Sequence, residues 1–177
     1  MTTTVEHDPE RLPSGVGFQN TRFDPDLSPL HAVAKEMAAL FGYSATLSLE
    51  PRLAQLLRLR VAQLNPCSYC LILHTRVAHE IGVPPEVVAN LPSWRESALF
   101  TTAEGAALAY CEALTRFDHA VFPELHDSLR LHFDEAGVAE IAAVVINMNV
   151  WTRLKLAQGA TPVPQEASSH PITEEQR

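Results

Sequence analysis

The sequence predicts an all-α domain of about six or seven helices, and three observations carry that expectation. Apolar residues recur at three- and four-residue spacing through most of the chain, the pattern of a helix with one buried face. Prolines, glycines and capping residues stand where those segments begin and end. No segment alternates apolar and polar residues as a half-buried strand does. At 177 residues and 46% hydrophobic content, the chain is long enough for one core and too short for two full ones.

Taken in order, residues 1–27 hold Pro13, Gly15, Gly17 and Pro25 without a sustained period, which describes an N-terminal arm or disordered leader. Phe18 and Phe23 are its candidate anchors. A helical domain is expected over residues 28–159. Ser28 and Pro29 open its first helix, in which Leu30, Val33, Ala34, Met37, Leu40 and Phe41 form one expected buried stripe before Gly42. A second helix runs from about Pro51 to Gln63, where Leu53, Leu56, Leu57 and Leu64 alternate with Arg52, Arg58 and Arg60.

The chain then passes through Asn65 and Pro66 into a third helix opened by Cys67, with Leu71, Val77, Ala78 and Ile81 as apolar positions and Gly82 at its end. A short helix follows over Glu86–Leu91. Thr101 and Glu104 have capping-box spacing ahead of a fifth helix carrying Ala107, Leu108, Tyr110, Cys111 and Leu114. Pro123 opens a sixth, through His132. Asp134 caps the last, whose Val138, Ile141, Ala142, Val145, Ile146 and Met148 are dense enough to cross a core or a subunit interface before Gly159. Residues 160–177 hold three prolines and two serines with few large apolar residues, so a flexible C-terminal tail is expected.

A formal net charge of −8 and a set of 11 arginines and 2 lysines that form no basic run argue against nucleic acid or an anionic membrane as partner. The first twenty-five residues lack the basic start and apolar stretch of a secretory signal. The longest apolar run, Ile141 to Ile146, is far short of the roughly 20 residues that span a bilayer. A cytoplasmic address is therefore expected. Three cysteines are too few for a disulfide scaffold, and a pair two residues apart in a reducing compartment points to catalysis or metal binding.

That pair is the chemical centre of the sequence: Pro66-Cys67-Ser68-Tyr69-Cys70-Leu71-Ile72-Leu73-His74. On a helix opened by Cys67, the residues Cys67, Cys70 and His74 fall within a sector of roughly 60°. Both thiols would lie in the first turn, where free backbone N–H groups and the helix dipole favour thiolate. One reading is a thiol-disulfide or peroxide-reducing site. In it the cysteine nearer the histidine attacks, the other closes a disulfide, and His74 holds or accepts a proton. A second is a zinc site with a fourth ligand from elsewhere, although no partner cluster of correct spacing is visible. A third is plain burial of two small apolar thiols and a satisfied histidine.

The segment Leu57-Arg58-Leu59-Arg60-Val61-Ala62-Gln63-Leu64-Asn65-Pro66-Cys67-Ser68-Tyr69-Cys70, continuing through Leu73-His74-Thr75-Arg76, resembles the core motif of the carboxymuconolactone decarboxylase superfamily, in its alkylhydroperoxidase D-like branch. Trp94-Arg95-Glu96-Ser97, the Glu104–Thr115 helix and Trp151-Thr152-Arg153 recur in similar order in such proteins, so the resemblance covers roughly residues 30 to 158. It implies an all-helical, oligomeric fold, often trimeric or hexameric, and reduction of organic hydroperoxides or hydrogen peroxide without a cofactor. It further implies that Cys70 attacks the peroxide, that Cys67 resolves the sulfenic acid, that His74 belongs to a proton relay, and that a dithiol protein or small thiol restores the pair.

Two positions depart from the family pattern. Gln55 stands where a relay glutamate is common, and an amide cannot exchange a proton near neutral pH; Glu50 is the nearest upstream carboxylate. Tyr69 replaces a histidine found in some members. Two other functions stay open: a small lactone as substrate, as in the superfamily's decarboxylases, which lack the cysteine pair, or a non-enzymatic helical oligomer with a structural or zinc-binding pair.

The remaining candidates carry less. His79 rotates to the far face of the cysteine helix. Cys111 lies in an apolar period and is expected in the core. Trp94 and Arg95 suit packing or subunit contact, with an arginine near a pocket able to steer an anionic peroxide. His119, His126 and His132 have no metal-ligand spacing. Asn147 and Asn149 interrupt an apolar helix, are expected to face an interface or a pocket, and if buried need partners.

Overall fold

A computed structural model describes residues 16–164. Seven helices are present among them: α1 (Leu30–Phe41), α2 (Pro51–Leu64), α3 (Ser68–Glu80), α4 (Pro85–Asn90), α5 (Thr102–Arg116), α6 (Phe122–Arg130) and α7 (Glu135–Gln158). Short 3-10 turns cover Pro25–Leu27 and Leu91–Glu96. The all-α class holds, with one addition. Strand β1 (Val16–Asn20) pairs antiparallel with β2 (Ala160–Pro164), placing Phe18 opposite Pro162. The sequence reading expected no strand in either segment. Backbone hydrogen bonds contribute to the pairing and do not require an alternating pattern. Thr21 N and Arg22 N extend that support by donating to the carbonyls of Gly159 and Gln158 at 3.1 and 3.2 Å. The rest of the expected arm and tail, residues 1–15 and 165–177, lies outside the described residues.

Helix α2 is the axis of the core. Every residue from Leu53 to Ala62 is buried, and it packs on α3, α5 and α7. Burial of its arginines follows from where their heads go. Arg58 donates from Nη2 to the carbonyls of Phe41 and Gly42 at 3.0 and 2.7 Å, which satisfies the C-terminal end of α1. Arg60 donates from Nε to Glu112 at 2.8 Å. Glu112 also accepts from Trp94 Nε1 at 2.9 Å and Arg95 Nη1 at 2.7 Å, so the Trp-Arg segment serves packing, as expected.

The caps of α5 and α7 and the glycines that end α3 and α7 match the sequence reading, whereas α1 starts at Leu30 with Pro29, not Ser28, as its N-cap and no side-chain cap hydrogen bond. Thr101 and Glu104 form a reciprocal capping box, Asp134 accepts from Gly137 N at 2.8 Å, and Gly82 and Gly159 take positive φ where α3 and α7 end. A further expectation is overturned. The α1 stripe is not one buried row: Ala34 is buried, while Leu30, Val33 and Leu40 are 52%, 50% and 64% exposed. Packing of α1 on α7 uses the face of His31 and Ala34. The apolar residues beside that face have no cover among the described residues.

Candidate active site around the cysteine pair

Asn65 ends α2 and Pro66 prevents the helix from continuing, so the chain restarts at Cys67. Cys67 is the N-cap of α3, and its Sγ accepts the Cys70 backbone N–H at 3.4 Å. The two sulfurs lie 2.6 Å apart as free thiols, both buried. The side chains of Asn65, Asn149 and Thr152 fix the turn just before them, with Asn65 Nδ2 donating to Asn149 Oδ1 and to Thr152 Oγ1, both at 2.9 Å.

The electrostatics separate the two thiols. A hydrogen bond from the Cys70 thiol, the Cys70 backbone N–H and the Lys155 charge hold the Cys67 thiol below its ordinary range, against burial. The same sulfur neighbour and burial push the Cys70 thiol well up. The sequence reading gave the thiolate to Cys70 as the cysteine nearer His74. The N-cap geometry favours Cys67 as the resting thiolate instead, because cap position decides which sulfur receives the helix N–H.

Cys70 nonetheless is the sulfur at the wall of a cavity of about 400 Å³, which it lines together with His74, Tyr69, Tyr43, Trp151 and Lys155. Helix α7 presents Asn147, Trp151 and Lys155 to this space at four-residue intervals, one face of the helix. Helix α1 supplies His31 and Lys35. Sequence reasoning passed over both lysines; their rarity, two in the whole chain, was the available signal.

His74 is fully buried behind Cys70, and burial with the Arg58 charge pushes its pKa down to about 3. It is therefore neutral at physiological pH. Gln55 Nε2 donates to the His74 carbonyl at 2.8 Å and sits 3.1 Å from Nδ1. Only the amide nitrogen can face a carbonyl oxygen, so Nδ1 is an acceptor and the ring proton belongs on Nε2. Gln55 Oε1 has no partner among the described residues. Glu50, the other candidate for the relay, is exposed at the start of α2.

Tyr69, between the cysteines, packs outward. Its ring meets Phe18 of β1 edge-on at 4.7 Å and lies under Lys155 Nζ at 4.3 Å. The small sheet is thus anchored beside the pair. Cys111 is buried in α5 with its thiol pushed up to about 12 by desolvation, which fits an inert core position. His79, His119 and His132 are exposed. Among the described residues no three His, Cys, Asp or Glu side chains gather closely enough to hold a metal ion, and no helix is long and apolar enough to cross a membrane.

An N-capping dithiol thus stands at the wall of a helical cavity, and comparison with known proteins identifies the family of the fold. The signature of the Carboxymuconolactone decarboxylase family matches residues 31–113, and the chain belongs to that family.

Particular relatives are uncharacterized proteins: YdfG of Bacillus subtilis is 29% identical over 126 residues, covering 71% of this chain and 86% of that protein. YnjA of Escherichia coli is 31% identical over 126 residues, covering 68% and 69%. Two solved structures share the fold. A protein of unknown function from Agrobacterium tumefaciens, named as a candidate antioxidant defence protein AhpD, superposes with a TM-score of 0.73 at 24% identity over 80% of this chain and 97% of its own. An uncharacterized peroxidase-related protein from Silicibacter sp. TM1040 gives 0.65 at 19% identity over 75% and 69%.

Proposed function

We propose that this chain is a thiol-dependent peroxidase that reduces organic hydroperoxides or hydrogen peroxide through a Cys67/Cys70 dithiol-disulfide cycle. The observation that carries the reading is the pair itself: two free sulfurs 2.6 Å apart, one of them facing a cavity. Cys67, the resting thiolate, accepts the Cys70 proton across that short gap. Cys70 then attacks the terminal peroxide oxygen, the O–O bond breaks, and the leaving alkoxide takes the proton now on Cys67 to depart as the alcohol. The Cys67 sulfur next attacks the Cys70 sulfenic acid, forming the disulfide and expelling hydroxide. One thiolate, one thiol, one hydroperoxide and one proton from solvent, which neutralises the expelled hydroxide, thus give one disulfide, one alcohol and one water. His74, neutral with its proton on Nε2, donates a hydrogen bond in this scheme. Gln55 orients it, and Tyr69 holds the turn between the sulfurs.

A dithiol protein or small thiol restores the pair, in a reducing cytoplasm. The exposed Leu30, Val33 and Leu40 row on α1 supports a homo-oligomer, trimeric or hexameric, in which a second copy covers it.

Cys70→Ser should abolish peroxide consumption, and Cys67→Ser should accumulate sulfenic or overoxidised Cys70. Mass spectrometry after one equivalent of hydroperoxide should show a loss of two hydrogens localised to the Cys67–Cys70 peptide. Unchanged turnover by Cys70→Ser would overturn the proposal. Membership of the family carries a second reading, decarboxylation of a small lactone, which a spectrophotometric lactone assay separates from the first.

A further inference from the structure

The two lysines of this chain, Lys35 and Lys155, lie 120 residues apart in sequence, on α1 and α7, and line the same cavity. Arg58 joins them from α2, 4% exposed. No aspartate or glutamate is among the lining residues, although acids outnumber Lys and Arg by 21 to 13 in the chain. Asp26 stands outside the lining: it accepts from His31 Nδ1 at 2.6 Å, and its carboxyl is held below its ordinary range by that hydrogen bond and, to a lesser extent, by the Lys35 and Lys155 charges. The Arg58 guanidinium meets carbonyls alone at Nη2, and its Nε makes no hydrogen bond among the described residues. It has no carboxylate within ion-pair distance among them. Asn147 Oδ1 and Trp151 Nε1, also on lining residues, are buried and likewise without a partner. Between these polar groups stand the faces of Tyr43, Tyr69 and Trp151.

A net-acidic protein that gathers three cations around one cavity, with no acid among its described lining residues and Asp26 the carboxylate that acts on its lysines from outside, presents a net positive wall to a negative ligand. Dispersed surface charge would not produce this arrangement. The aromatic faces suit an unsaturated or alkyl body, and a volume of about 400 Å³ is at the small end of ligand cavities. From this juxtaposition, and resting on the peroxidase reading, we infer that the substrate is a small organic hydroperoxide carrying its own carboxylate. The carboxylate is held by the Lys35, Lys155 and Arg58 group and the peroxide end is directed at Cys70. Neutral alkyl hydroperoxides enter the same cavity without that anchor.

The test uses the hydroperoxide of para-isopropylbenzoic acid and its methyl ester, which share one reactive group and differ in charge. For the full-length protein, kcat/KM for the acid should exceed that for the ester by about tenfold, equivalent to one well-placed ion pair at about 1.4 kcal/mol. That preference should shrink with added salt and fall towards unity in Lys35→Gln, chosen because Lys155 also acts on the thiols. Equal rates for acid and ester in the wild type, or a preference unchanged in Lys35→Gln, would overturn the inference.

Equilibrium binding of para-isopropylbenzoate, which has no peroxide, separates the two claims. Isothermal titration should show one site, weakened about tenfold by Lys35→Gln. Such binding with no hydroperoxide turnover would remove the peroxidase step and with it the substrate assignment, leaving an organic-anion site. Turnover with no carboxylate binding would remove the anion claim and keep the peroxidase.

Discussion

At the scale of single residues, His74 and Gln55 determine how the site responds to pH. His74 is held near 3 in the folded chain against an ordinary 6.5, so between those values the unfolded chain binds a proton that the folded chain refuses. Stability is therefore full above about pH 6.5 and is lost as pH falls towards 3, with a slope approaching 1.4 kcal/mol per pH unit for this one group. Urea titrations at pH 7, 6, 5 and 4 should show that slope, and His74→Leu should flatten it even if the variant is less stable throughout.

Gln55→Glu reverses the sign. A carboxylate placed against the His74 carbonyl must stay protonated to donate, so its folded pKa rises above the ordinary value of about 4.3. The variant should lose stability as pH rises above about 4.3, and a variant with the wild-type pH profile would show that the amide does not face that carbonyl. Cys67, Cys70 and His74 were legible in the sequence because helical spacing puts them on one face of α3, whereas Gln55, on α2, was named only through the family resemblance. The charge order within the pair was not legible, since it depends on which sulfur caps α3 and on a lysine that arrives from α7.

At the scale of elements, the caps were readable because each is a local contract between residues three apart. Thr101→Ala should cost about 1 kcal/mol, measured by chemical denaturation, by removing the hydroxyl that accepts Glu104 N–H. The strands were not readable, because β1 and β2 pair across the whole length of the helical bundle that separates them in sequence. Their join makes a second test. Gly82 has positive φ and open space around it, whereas Gly159 has positive φ and a Cβ there would run into Thr21 Oγ1 and crowd Arg22 Cγ at 3.0 Å. Gly82→Ala should cost only the left-handed backbone penalty, about 1 kcal/mol. Gly159→Ala should cost more, and a smaller loss than in Gly82→Ala would show that the strand pair contributes little. The α1 stripe was misread for a related reason: apolar spacing identifies a face that wants cover but not which chain provides it.

At the scale of the whole molecule, that uncovered row makes assembly testable. Leu30→Glu with Leu40→Glu should shift the protein to a smaller species by sedimentation velocity while leaving its far-ultraviolet circular dichroism unchanged, since both side chains are more than half exposed. An unaltered sedimentation coefficient would place the interface elsewhere. The cavity also gives the molecule an optical property of its own. Trp151 lines it, stands 5.9 Å from the His31 ring and 5.6 Å from Lys155 Nζ, and the chain has one other tryptophan, Trp94, seated against Glu112 on the far helix. In a Trp94→Phe background tryptophan emission comes from the cavity wall alone, so ligand entry becomes visible in unlabelled protein by fluorescence.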